Sequence, residues 1–302
     1  MGGIALEGDA VAVGDRFSVA FQRTLRVPTD GSSYPLPPSL GRLPVARLGA
    51  LEAGDGPGFG VPLYQREALW LAFGGAWWKP NAVQIGVGGV NALSGQPLSS
   101  PLTSDPQNYL VCPDQPWLDG INAGEGFVRQ FVAVPLGSGL TVEGQLIGTE
   151  HLGGIQLRVY EPKLGRFPDH QPDRRATPLE GRPQASARLG LAAGGRIAQK
   201  IYPDPYGVET WDPRSAASVS VALLNSEQFH ALTGREPPPS PVSAALYTEH
   251  GLPWFHLYEE AMGDIDRSDL LAGVDPLADE GEALTIDPEQ VRGIAGRRRP
   301  GG

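Results

Sequence analysis

Two segments hold the residue types that could do chemistry. Residues 109–130, YLVCPDQPWLDGINAGEGFVRQ, set Asp114, Asp119, Asn122 and Glu125 close together beside Trp117. Oxygen donors on one loop can hold a calcium ion, but this spacing is not that of the EF-hand loop. Asp119 before Gly120 and Asn122 near Gly124 are equally well explained as turn formers, so no metal site is assigned. Residues 200–214, KIYPDPYGVETWDPR, set Tyr202, Tyr206 and Trp211 among Asp204, Glu209 and Asp212. Such rings stack on a sugar or another flat ligand while the carboxylates accept its hydroxyl protons. Pro203 and Pro205 equally describe a rigid turn packed on the body of the protein.

A third set is catalytic in type. Glu67 lies in the apolar run YQREALWLAF, where a carboxylate needs a partner, and Arg66 or Arg129 would supply it. Glu143 offers a second carboxylate, and two carboxyl groups at the right separation hydrolyse glycosides. Trp77 and Trp78 follow Gly74 and Gly75 in what reads as a hairpin; exposed they would form a binding platform, buried they would be core. His250 and His256 lack the further ligands a metal needs. The glycine-rich IGVGGVNALSG at 85–95 lacks the lysine and the following helix of a phosphate loop. No cofactor is expected.

These residues must be carried by strands. Across 127–160 three strand-like runs, with no helix among them, are separated by glycines: Phe127–Val134, then Leu140, Val142, Leu146 and Ile147, then the strict alternation Ile155, Leu157, Val159. Alternation places one face in a core, and connections this short imply an antiparallel meander. Strands are also expected over 15–27, 63–73, 82–90, 109–111, 196–202 and 218–224, with residues 97–126 otherwise mostly loop. Ser226 caps a short helix ended by Gly234, and a second short helix is expected within 247–262. The expected architecture is mainly β: an antiparallel β-sandwich of jelly-roll type with one or two short helices and long Gly/Pro-rich loops. Its body spans 15–262, a Pro/Arg-rich surface excursion covers 163–194, and residues 263–302 read as an acidic, poorly ordered tail.

Composition narrows the classes. The chain has 302 residues, 41 of them glycine and 30 proline, and a formal charge of −10. Residues 259–289 contain eleven acids and a single base, Arg267, so the remainder is neutral. No arginine cluster coincides with an aromatic platform, which argues against nucleic acid as a partner. Cys112 is the only cysteine, which excludes an intrachain disulfide and suggests a small core residue. The N-terminus lacks a signal-peptide pattern, and the uncharged stretch between Lys79 and Asp105 is too polar to span a bilayer. A cytoplasmic protein without a membrane span is expected.

Several motifs together carry a resemblance: YPLPPSLGRLP (34–44), PLYQREALWLAF (62–73) with WKPNAV (78–83), YLVCPDQPWLDGI (109–121), VRQFVAVPLGSGLTVEGQ (128–145), GGIQL (153–157), QKIYPDPYGVETWDP (199–213) and YTEHGLPWFHLYEE (247–260). The chain thus resembles, over about 15–262, an uncharacterised family found widely in bacteria and partly shared with fungi and other eukaryotes. The resemblance implies a defined globular body with a variable tail, and no activity. Two readings of function follow. The first is a non-enzymatic binding or self-assembling protein using Trp77, Trp78, Trp117 and the loop aromatics against a protein partner. The second is a carbohydrate or small-ligand binder, which as a hydrolase would use Glu67, Glu143 and Arg129.

Overall fold

The structure, a computed structural model, describes residues 3–49, 58–171, 189–237 and 263–278. His250, His256, the helix expected within 247–262 and most of the 163–194 excursion lie outside the described residues. In chain order the strands are β1 (Ile4–Glu7), β2 (Ala10–Val13), β3 (Phe17–Thr24), β4 (Ser33–Tyr34), β5 (Ser39–Arg42), β6 (Ala46–Arg47), β7 (Gly58–Pro62), β8 (Ala68–Gly75) and β9 (Asn81–Val87). They continue as β10 (Val90–Asn91), β11 (Leu110–Cys112), β12 (Trp117–Leu118), β13 (Gly120–Gly124), β14 (Phe127–Pro135), β15 (Ile155–Tyr160), β16 (Leu189–Ala198) and β17 (Ala217–Leu224). The helices are α1 (Val142–Ile147), α2 (Ser226–Thr233) and α3 (Asp269–Ala272).

Strand pairing produces two ladders. One runs β1–β2–β3–β8–β14–β16. The other runs β6–β7–β17–β15–β9–β11. They meet where Leu189 pairs with Leu223. Most pairs are antiparallel, but β7 lies parallel to β17 and β4 parallel to β16. The inward parities of both sheets share one core: Val19, Phe21, Leu69, Leu71, Phe131 and Leu191 from the first face Val83, Ile85, Leu157, Val159, Val219 and Val221 from the second. The chain is therefore mainly β and sandwich-like, each sheet hiding the alternate side chains of the other.

Three expectations change. The middle run of 127–160 is not a strand. Val142 and Leu146 are four apart, a helical spacing, and the Thr141 side chain accepts the Gly144 amide at 2.9 Å to start α1, which Gly148 closes at φ 79°. No meander forms, because α1 carries the chain from β14 in one sheet to β15 in the other. Trp77 and Trp78 likewise sit in no hairpin, since β8 and β9 belong to different sheets and the turn between them crosses the edge of the sandwich. Residues 97–126, read as mostly loop around a strand at 109–111, contain β12 and β13 besides that strand, which is β11. Loop chain is held there by buried amides: Gln107 donates to the carbonyls of Tyr109 and Tyr202, Asn108 to Pro101, and Gln115 to Trp117.

Residues 263–278 are packed rather than trailing. Ile265 donates its amide to Ile201 at 2.9 Å, Leu271 and Val274 enter the core, and Leu277 seals Val132, Val134 and Ala192. Ser268 caps α3 by accepting the Leu271 amide. The apolar residues of this strap are few, but each is placed to be buried, and one of its acids is used locally. Asp264 accepts from the amides of Ile201 (2.7 Å) and Gly126 (2.6 Å). A tail read by apolar density alone loses that information.

Candidate binding site

The fold brings the two chemistry-bearing segments together. Asp204, at the turn after β16, accepts from the Tyr109 hydroxyl, from Trp211 Nε1 at 2.9 Å and from the Tyr206 amide at 2.7 Å. The Asp204 amide in turn donates to Gln107 Oε1 at 2.8 Å. One buried-edge carboxylate thus ties the tyrosine just before β11 to the 204–211 turn. Trp211 is buried against Tyr109, with Phe167 stacked on it at 6.4 Å and Tyr206 edge-on at 6.1 Å. At the rim the Tyr206 hydroxyl donates to Asp114 Oδ2 at 3.1 Å.

Electrostatics here follow burial. Desolvation raises Asp114 above the usual carboxylate range, helped by the charge of Asp204 and opposed by the Tyr206 hydroxyl. Burial, then the Asp114 charge, pushes Tyr206 up to about 12, and burial together with Asp204 pushes Tyr109 further. Of the sequence-predicted residues, Asp114, Asp204, Tyr206 and Trp211 therefore meet. Tyr109, Gln107 and Phe167 complete the cluster and were not expected there. Buried Tyr with a carboxylate across the fold leaves no local spacing signal.

The other loop oxygens do not gather. Asp119 lies where the chain leaves β8 to pair with β14: Leu118 faces Leu71 and Gly120 faces Gln130. It is 0% exposed, and neither carboxyl oxygen has a hydrogen-bond partner among the described residues. Burial holds the carboxyl well above its normal range, and the Trp117 indole partly opposes that rise. Asn122 donates to the carbonyls of Leu93 and Asp266 and accepts the Gly124 amide. Glu125 stands exposed at φ 57° in the β13–β14 turn. Among the described residues no group of three or more His, Cys, Asp or Glu could hold a metal.

Asp119 carries a consequence for pH. It keeps its proton in the folded chain and loses it on unfolding once the pH exceeds about 4, so its presence lowers stability as pH rises. Asp119→Asn is expected to raise the melting temperature near neutral pH and to leave it unchanged near pH 4, read by differential scanning calorimetry. An equal effect at both pH values would contradict a neutral buried acid.

The catalytic-type residues are each engaged separately. Glu67 is paired not with Arg66 or Arg129 but with Arg23, whose Nε lies 3.1 Å from both carboxylate oxygens. Arg23 shares the inward parity of Phe17, Val19 and Phe21, and an arginine on that face was the available signal. Glu143 accepts the amides of Gly153 (2.9 Å) and Leu152 (3.4 Å). Its neighbour Glu150 accepts from Gly137, Thr141 and the Thr141 hydroxyl. Arg129 donates to the carbonyls of Val274 and Ala272, clamping the strap.

Trp77 and Trp78 are the predicted pair that reaches solvent. Trp77 is 45% exposed and stands edge-on to Trp78 with ring centres 6.0 Å apart. Trp78 lines a cleft of about 240 Å³ together with Glu7, Asp15, Arg16, Phe17 and Ala76. Two buried donors of that lining, Trp78 Nε1 and Arg16 Nε, have no acceptor among the described residues. Trp117 is half-buried on the far side of β8, opposite Ala72. The arrangement defines a mainly β, sandwich-like protein with an aromatic corner at its edge. No family model, curated protein or solved structure matches the chain.

Among the described residues no helix is long and apolar enough to cross a membrane.

Proposed function

We propose that the chain is a non-enzymatic binding protein that associates with a second copy of itself through the corner formed by β1, Trp77 and Trp78. The observation that carries this reading is a large exposed indole beside a cleft whose lining contains two buried N–H donors without acceptors. Buried donors are nearly always satisfied, so acceptors from outside are the natural complement. An edge strand supplies them. Among the described residues β1 pairs with β2 alone, and its sequence IALE contains neither lysine nor proline to block a second strand. The Arg16 guanidinium is already held within the chain by Glu161 at 3.2 Å and Asp15 at 3.6 Å, so its Nε is the group left for an acceptor from a second copy.

Light scattering on the full chain should give a mass that rises with concentration toward twice that of one chain. Trp77→Arg should return a monomer with an unchanged circular dichroism spectrum. A monomer at every concentration, or a dimer that survives the substitution, would discard the reading. The hydrolase alternative has less behind it, because Glu67 is engaged by Arg23 and Glu143 by backbone amides.

A further inference from the structure

A second cleft lies on the outer face of the second sheet. Register sets Ser220 opposite Gln156 and Ser218 opposite Arg158 across β17–β15, and Gln156 opposite Gly86 and Arg158 opposite Gln84 across β15–β9. Directly opposed residues share a face, and the alternate residues Leu157, Val159, Val219 and Val221 belong to the core. Polar side chains from β15 and β17 therefore form one outward floor. Leu98 and Leu152 wall a space of about 310 Å³ above it. The walls depend on glycine: a Cβ at Gly86 would meet Leu98 Cδ2 at 2.6 Å, and one at Gly89 would meet Leu152 Cδ1 at 2.7 Å.

The donors are unevenly used. Gln156 is fixed, donating to the Gly153 carbonyl and accepting the Gly89 amide, both at 2.8 Å. Arg158 gives one N–H, from Nη1, to the Leu98 carbonyl at 3.2 Å and lies 5.7 Å from the Tyr160 ring centre. Its other guanidinium groups, and the hydroxyls of Ser218 and Ser220, make no hydrogen bond to the described residues. Ser220 is nevertheless only 5% exposed. Among the described residues no Asp or Glu lines the cleft. Glu143, which contacts the wall residue Leu152, is turned onto backbone amides.

A guanidinium with free N–H groups, two hydroxyl donors and no competing carboxylate recognises an oxyanion. The apolar walls and the volume, near the lower limit of small-molecule sites at roughly 300 Å³, limit the rest of the ligand to a few carbons. We infer that this cleft binds a small ligand bearing one oxyanion group, held by Arg158 with Ser218 and Ser220, and with its carbon part between Leu98 and Leu152.

The test is amide-resolved NMR titration of the full chain with isobutyrate, its neutral analogue isobutyramide, and inorganic phosphate. Isobutyrate or phosphate should shift the amides of 156–158 and 218–220 saturably, and isobutyramide should not. The stronger of the two anions assigns the group as carboxylate or phosphate. Arg158→Gln should weaken binding by about tenfold or more, the range expected for a charged hydrogen-bond donor. Ser218→Asp, which sets a carboxylate opposite Arg158, should abolish it, and this decides the matter if Arg158→Gln fails to fold. Equal response to the amide, no response to either anion, or full binding by Ser218→Asp would overturn the assignment.

Discussion

Replacing Glu67 by alanine is expected to lower the unfolding free energy by about 3–5 kcal/mol, because it leaves the Arg23 cation buried without its counter-charge. Both residues are nearly inaccessible, at 3% for Arg23 and 6% for Glu67. The guanidinium meets the carboxylate through two nitrogens, and Glu67 also accepts the Tyr64 amide at 3.3 Å. Removing both charges is a different experiment. Arg23→Met with Glu67→Leu restores apolar contact between β3 and the start of β8 and should recover most of the loss, leaving the Tyr64 amide as the residual deficit of about 1 kcal/mol. Urea unfolding monitored by tryptophan fluorescence measures both, with an unchanged slope as the control. A single substitution that cost less than the double one would refute a buried pair as the stabilising unit.

Period-two patterning made much of the fold legible. In β15 the alternation of Ile155, Leu157 and Val159 corresponds to the buried face, and β17 behaves alike with Val219, Val221 and Leu223. Where side chains are small the pattern fails. The expected strand at 196–202 is in fact β16 at Leu189–Ala198, whose LGLAAGG start offers too few branched side chains to read as a strand. The helix at 226–233 was legible from its cap, although Asn225 and not Ser226 provides it, with Gln228 completing the capping box. What no local reading reaches is pairing across the chain. Arg23 and Glu67 are 44 positions apart, Asp114 and Tyr206 are 92 apart, and the amides of Gln107 and Gln115 find carbonyls 95 and 85 positions away. Such partners are chosen by which strands become neighbours, so a polar residue in a loop segment looks the same in sequence whether it faces water or staples two buried turns.

The Glu143 carboxyl should make stability fall as pH rises from about 4.5 to about 7. Burial is the main cause of its raised value, pushed up to about 7, with the nearby charge of Glu150 adding and the Gly153 and Leu152 amides opposing. In that interval the folded chain holds a proton that the unfolded chain has released, so unfolding is favoured progressively as the pH increases. The full loss, present above the folded value, is about 3 kcal/mol by the usual conversion of a pKa difference. Glu143→Gln keeps the shape and removes the titration, and Gly88, where a Cβ would meet the Glu143 carboxyl carbon at 2.4 Å, leaves room for either side chain. The variant and the natural chain should therefore have similar unfolding free energies near pH 4, diverge between about 4.5 and about 7, and stay apart above that, the variant being the more stable. Asp119 bends both curves in the same direction, so the difference between them isolates Glu143. Parallel curves across the whole interval would mean that the α1 loop opens to water and lets Glu143 ionise freely, and the helix from Thr141 to Gly148 would then have to be held by its Thr141 cap and by Glu150 alone.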